Sequence, residues 1–183
     1  MAYRKRGPWK VLGSTIVYRN PWMTVQEDKV IHPGGSPGIF GIVTIKPGAA
    51  IIPLDDENNV YLIKEHHYAT NKDNLEAASG GKEKGENYLA AAKRELKEET
   101  GISAKKWISL GVMEAFTTYL QSPVHLYLAE RLSFSSAQLE NTETIHTQKV
   151  PLVKALKLIE SGKIVHAATV IGLLKIARLK GIR

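Results

Sequence analysis

Cysteine is absent from this chain of 183 residues. That excludes disulfides and thiol chemistry, and it fits a cytoplasmic protein. Long apolar runs are absent too. None approaches the ~18 residues that a membrane-crossing helix needs, so no membrane partner is expected. The opening MAYRKRGPWK is basic, but no apolar segment follows it, so it does not read as a secretory signal. Internal repeats are missing as well. What remains is ordinary for a soluble globular protein, 43% hydrophobic and 23% charged, with enough length for a sizeable core. The formal charge is +7 and the pI near 9.5. The short basic clusters are Arg4-Lys5-Arg6 and the tail from Lys175 to Arg183. Neither is interleaved with the aromatics of a base-stacking platform, so nucleic acid is not an expected partner. A positive surface would equally attract a small phosphorylated substrate.

The first 45 residues have strand character. TIVYRNPWMTVQEDKVI carries β-branched and aromatic residues in partial alternation, HPGGSPG is a turn by composition, and IFGIVTI reads as a returning strand. The expected organisation is a small antiparallel β unit over 1–45, too small to be stable alone, and a larger domain over 46–183. In the larger part, AAIIPL and VYLIKEHHY flank the polar turn Asp55 to Asn59 and predict a hairpin, and Asn71 to Asn74 reads as a loop. A helix is predicted from about Asn87 to Thr100, stopped by Gly101, with Leu89, Ala92 and Leu96 as its apolar stripe. Two more strands follow, then a helix from Pro151 to Glu160. A last helix, Ala167 to Leu179, would pack Val170, Ile171, Leu174 and Ala177 on one face.

Glu95, Glu98 and Glu99 crowd the last turns of the first predicted helix. A helix C-terminus carries partial negative charge, so acids there are mildly unfavourable. Like charges three and four apart add roughly 0.2–0.5 kcal/mol of repulsion per pair. A solvated charged face is the ordinary explanation of such a run, and Arg94 can pair with Glu98 four residues on. An oxygen-rich cluster of this kind also suits a hard divalent cation such as Mg²⁺.

The spacing decides between these. GGKEKGENYLAAAKRELKEETGI, Gly80 to Ile102, resembles the Nudix box G-x5-E-x7-R-E-U-x-E-E-x-G-U, with U a bulky aliphatic, at every defined position. VYLIKEHHYAT with LEAASGG, the opening WKVLGSTIVYRNPWMTVQEDKV and the ending SGKIVHAATVIGLLKIA resemble the ADP-ribose and nucleoside-diphosphate-sugar pyrophosphatase branch of that family. The resemblance implies an α/β fold, an α/β/α sandwich on a mixed sheet with the small N-terminal antiparallel β unit added. It implies a homodimer whose N-terminal strands reach the partner's site. It implies Glu95 and Glu99 as principal ligands of Mg²⁺, with Mn²⁺ a possible substitute, assisted by Glu98 and the carbonyl of Ser79. Glu86 and Arg94 would orient the glutamates, and Glu76 would contact the nucleoside. A further acid from the loop before Ile145 would act as base or as an additional metal ligand, Glu143 first and Glu140 second; either taken alone reads equally well as a solvated loop acid.

Two departures from the branch stand out. His67 occupies a position where relatives often carry Arg, and it cannot grip phosphate bidentately. His66 and His67 read equally well as ordinary strand residues. The segment from Ala115 to Ser122 lacks the acidic pair of many relatives, which implies broader selectivity than for ADP-ribose alone. The implied activity is metal-dependent hydrolysis of nucleoside diphosphate sugars to a nucleoside monophosphate and a sugar phosphate. Alternatives are hydrolysis of other diphosphates, such as dinucleotides or capped RNA ends, and a non-catalytic nucleotide-sugar-binding regulator. The intact set of box glutamates speaks against the last.

Overall fold

The computed structural model describes residues 2–137 and 145–182. The chain divides into two compact units, one of 1–47 with 114–122, the other of 48–113 with 123–183.

The N-terminal unit is one sheet. β1 (Arg4–Arg6), β2 (Trp9–Arg19), β3 (Met23–Ile31) and β4 (Pro37–Ile45) follow each other as antiparallel neighbours. The β2–β3 turn is fixed by Asn20, whose Oδ1 accepts from the backbone N–H groups of Trp22 and Met23 at 2.9 and 2.7 Å. Its strands bury little. Val11, Val30 and Ile42 are buried, whereas Val17 and Trp22 stay 57% and 73% exposed.

The larger unit is built on β5 (Gly48–Pro53), in which every residue is buried. β5 pairs antiparallel with β8 (Ala78–Gly81) and parallel with β11 (Pro123–Phe134), and β9 (Ile102–Glu114) completes this mixed sheet on the far side of β11. A parallel central strand needs cover on both faces, and the alternation of β5 supplies two apolar faces. Ala49 and Ile51 pack with Ala92 and Leu96 of α1 (Tyr88–Thr100). Ala50 and Ile52 pack with Leu152 of α2 (Leu152–Glu160) and with Leu173 and Ile176 of α3 (Ala167–Lys180). This is the expected α/β/α sandwich. Each fully buried Leu or Ile in it contributes about 1.5–3 kcal/mol. A smaller sheet holds β6 (Asn59–His67) between β7 (Lys72–Glu76) and β12 (His146–Pro151), antiparallel to both. In the N-terminal unit, β10 (Leu120–Gln121) adds a short parallel pairing to β4.

Three local expectations need correction. β5 and β6 do not form a hairpin; they lie in different sheets, joined by the single bridge Leu54 to Val60, because a fully buried strand takes its partners from β8 and β11. Lys72, Asp73 and Asn74 belong to β7 and not to a loop, since pairing with β6 overrides their polar composition. On α3 the buried side is Ala168, Thr169, Gly172, Leu173, Ile176 and Ala177, and Leu174 is exposed. That helix is apolar nearly all round, so periodicity alone leaves its inward face undetermined. Gly172 packs close to β5, where a Cβ would meet Ile52 Cδ1 at 2.5 Å.

Candidate active site

α1 begins where Asn87 caps it, its Oδ1 accepting from Ala90 N–H at 2.8 Å. It ends at Gly101, which takes the left-handed conformation at φ 70° and returns its N–H to the Lys97 carbonyl. Between these ends the 3.6-residue period turns Ala92 and Leu96 into the core. Glu95 and Glu99, one turn apart, lie against β8. A Cβ on Gly80 would overlap the Glu95 carboxylate, so a side chain there would push Glu95 aside. Glu99 is buried, and its Oε2 accepts from the Ser79 backbone N–H at 3.0 Å.

Arg94 ties the cluster together. Its Nε and Nη2 donate to the two oxygens of Glu86, both at 3.1 Å. Its Nη1 donates to Glu95 at 2.8 Å and to Glu98 at 3.0 Å, and Nη2 also reaches the Gly81 carbonyl at 3.1 Å. Glu86, the first cause, with Glu95 and Glu98 holds the guanidinium above its ordinary pKa against the opposing effect of burial. The same contact holds Glu86 below the usual carboxylate range, helped by the Glu83 backbone N–H. The guanidinium thus offsets part of the repulsion that sequence spacing builds into this helix end. Glu98 is the outermost of the acids.

Glu86, Arg94, Glu95, Glu98, Glu99 and Ser79 therefore come together at the junction of α1 and β8. The donor set is hard oxygen, partly buried and multiply charged, which fits a hard divalent cation. Glu76 and His67 meet on the neighbouring strands β7 and β6, with His67 Nε2 and Glu76 Oε1 2.8 Å apart. Glu140 and Glu143 lie outside the described residues.

Glu65, His166 and Thr169, which sequence reasoning did not single out, lie with Glu76 and His67. Glu65 stands two residues before His67 on the same face of β6. His166 Nδ1 is 3.8 Å from the other oxygen of Glu76 and 2.9 Å from Thr169 Oγ1. Burial pushes the His166 imidazole below its ordinary pKa, against the attraction of Glu76. Thr169 Oγ1 accepts from Ala77 N–H at 2.8 Å and so joins α3 to the β7–β8 connection. In the N-terminal unit, Trp9, Asp28, Phe40 and Tyr119 line a cavity of about 220 Å³. Asp28 is buried there, with Gln26 Nε2 at 2.7 Å and Arg6 at 3.7 Å. An aromatic or acid on an alternating strand was the available signal, but it does not say which strands become neighbours.

The sequence matches the nucleoside diphosphate sugar hydrolase N-terminal domain over residues 9–43 and the NUDIX domain over residues 44–164. The chain belongs to the Nudix family. Within it, this chain is a pyrophosphohydrolase of the ADP-ribose and nucleoside diphosphate sugar hydrolase branch. It is similar to the CMP-5'-(N-acetyl-N-hydroxy-3-aminopropyl)phosphonate hydrolase of Streptomyces rubellomurinus, with 31% identity over 96% of this chain and 85% of the relative. It is similar to the ADP-ribose pyrophosphatase of Bacillus subtilis, with 28% identity over 87% of this chain and 88% of the relative. In fold it resembles the crystal structure of an ADP compounds hydrolase, at a TM-score of 0.83 and 24% identity, covering 97% of each chain. Among the described residues, no helix is long and apolar enough to cross a membrane.

Proposed function

We propose that this chain is a cytoplasmic, Mg²⁺-dependent enzyme that cleaves the diphosphate linkage of nucleoside diphosphate sugars. Water adds across the P–O–P bond. One phosphoryl group takes the hydroxyl, the other leaves with the proton, and the products are a nucleoside monophosphate and a sugar phosphate. The observation that carries this reading is the convergence of two α1 carboxylates on β8, Glu95 against Gly80 and Glu99 on the Ser79 N–H.

Glu95 and Glu99, with Glu98 and the Ser79 carbonyl, are the groups proposed to hold the cation. Held there, Mg²⁺ or Mn²⁺ would neutralise diphosphate charge and polarise phosphorus. Arg94 keeps Glu95 and Glu98 in place through its clamp on Glu86. Glu143, or Glu140 in its stead, takes the proton from the attacking water. Glu76 and His67 are the proposed contacts to the substrate. The 1–45 strands serve a homodimer, a reading supported by the exposed apolar side chains of Val17, Trp22 and Ile39.

Fewer charged, directional contacts give weaker rejection of wrong substrates. With His67 in place of Arg and no acids among Ala115 to Ser122, several sugars are accepted, their efficiencies spread over about 100-fold, or about 2.7 kcal/mol. The Streptomyces relative supports a second reading, in which the nucleotide is joined to a phosphonate and the base is cytosine. The test is kcat/KM on ADP-ribose, ADP-glucose, GDP-mannose, UDP-glucose and a CMP-linked phosphonate with Mg²⁺. Comparable efficiencies among the sugars support the proposal. A preference above about 10⁴-fold for the phosphonate selects the second reading.

A further inference from the structure

Among the described residues, one group of side chains away from the glutamates of α1 has the composition of a transition-metal site. Glu65 and His67 stand two residues apart on β6, hence on one face of the strand. β7 runs antiparallel beside β6 and places Glu76 opposite Ile63, which shares that face. One ligand atom from each of Glu65, His67 and Glu76 lies within 4.8 Å of the other two. The set is one imidazole nitrogen and two carboxylates.

The surroundings hold these groups in position. Glu76 is buried to 3% exposure. A carboxylate so removed from water is costly unless matched by positive charge or hydrogen bonds. Two imidazoles converge on it, His67 at 2.8 Å from one oxygen and His166 at 3.8 Å from the other. His166 is in turn oriented by Thr169 Oγ1 at 2.9 Å, and Thr169 is anchored by Ala77 N–H. A carboxylate ligand with its second oxygen met by an oriented outer group is the usual support of a protein metal site.

We infer that Glu65, His67 and Glu76 bind a transition-metal dication of the Zn²⁺ or Co²⁺ class, at a site separate from the all-oxygen cluster of α1. Imidazole nitrogen favours such ions over Mg²⁺, which prefers oxygen and octahedral geometry. Bonds of about 2.0–2.2 Å to a four-coordinate ion set ligand atoms about 3.3 Å apart. Side-chain rotation opens the His67–Glu76 pair by a few tenths of an ångström and draws Glu65 inward. Three protein ligands leave one position for water or a substrate oxygen, so with the ion bound His67 and Glu76 would meet the substrate through it. The inference does not depend on which diphosphate the enzyme cleaves.

Co²⁺ is the probe, because its visible spectrum distinguishes four- and five-coordinate sites from octahedral ones. The full chain is titrated with Co²⁺ in excess Mg²⁺, and Zn²⁺ is then added to displace it. The inference expects an intense visible band that Zn²⁺ removes. The band persists in the Glu95→Gln, Glu99→Gln double variant. It weakens in His67→Gln and in Glu65→Gln, with affinity lower by at least about tenfold. Both substituted side chains lie at least partly exposed, so these variants test the site without relying on the buried Glu76. A wild-type chain without the band overturns the inference. So does a band unchanged in His67→Gln, or one lost in the Glu95→Gln, Glu99→Gln variant.

Discussion

The Glu95 carboxylate occupies the space that a side chain on Gly80 would take. The first glycine of the motif is therefore a packing requirement set by a glutamate on the facing helix. Gly80→Ala should push Glu95 away from β8 and lower kcat/KM about 100-fold, about 2.7 kcal/mol in transition-state binding. A higher Mg²⁺ requirement should accompany the loss. Mg²⁺ titrations of activity on both proteins check this; equal half-saturation and equal kcat/KM would contradict it.

Arg94→Lys keeps the charge and loses the fork. Lysine cannot reach both oxygens of Glu86 while also meeting Glu95 and Glu98. The expected result is a loss of about 1–2 kcal/mol in stability. Activity should fall at least about tenfold, because Glu95 and Glu98 lose their common partner. Denaturant melts and steady-state kinetics read the two effects separately. Wild-type values in both would mean that the guanidinium geometry is unimportant.

Asp55 links the β5–β6 connection to β12. Burial works to raise its pKa, but the Asn59 backbone N–H, the Lys149 ammonium and the Asn59 side chain outweigh it and hold the carboxyl at about 2 against an ordinary 3.8. A folded pKa below the unfolded one favours the ionised form. The stabilisation is therefore present above about pH 4 and is lost as pH falls towards about 2. Wild type should lose about 1 kcal/mol more than Asp55→Asn between about pH 5 and about pH 2, after solvent screening. Urea midpoints across that range are the measurement, and parallel curves would exclude the role.

The proposed dimer rests on the apolar residues that the N-terminal sheet leaves exposed. Val17→Asp with Trp22→Asp should give a monomer of reduced activity. Light scattering after gel filtration reads the mass. A wild-type monomer, or a double variant of unchanged mass and activity, would rule the arrangement out.

The glutamate cluster was legible because it is local. Glu86, Arg94, Glu95, Glu98 and Glu99 come from one capped helix and its lead-in, where fixed spacing fixes the face. The core was legible in part, since AAIIPL reads as a strand. Its neighbours were not, because pairing of β5 with β8 and β11 is a long-range choice that a polar turn after the strand does not reveal. The grouping of Glu65, His67, Glu76 and His166 stayed hidden for the same reason. It is assembled from two strands and the residue before α3, and His166 has no spacing signal towards Glu76. The inward face of α3 was misjudged because Gly172 carries no hydrophobic signal although it packs against Ile52.

The central claim is that the carboxylates at the C-terminal end of α1 hold the catalytic cation. Glu99→Gln isolates it. The amide oxygen can still accept from Ser79 N–H, and one like charge is removed from the cluster, so the folded protein should be no less stable in metal-free buffer. The decisive measurement is turnover of ADP-ribose and ADP-glucose by Glu99→Gln at saturating Mg²⁺, beside a thermal melt without metal. The account predicts a fall in kcat of at least about 10³-fold with an unchanged or higher melting temperature. Undiminished turnover by a folded Glu99→Gln protein would contradict it.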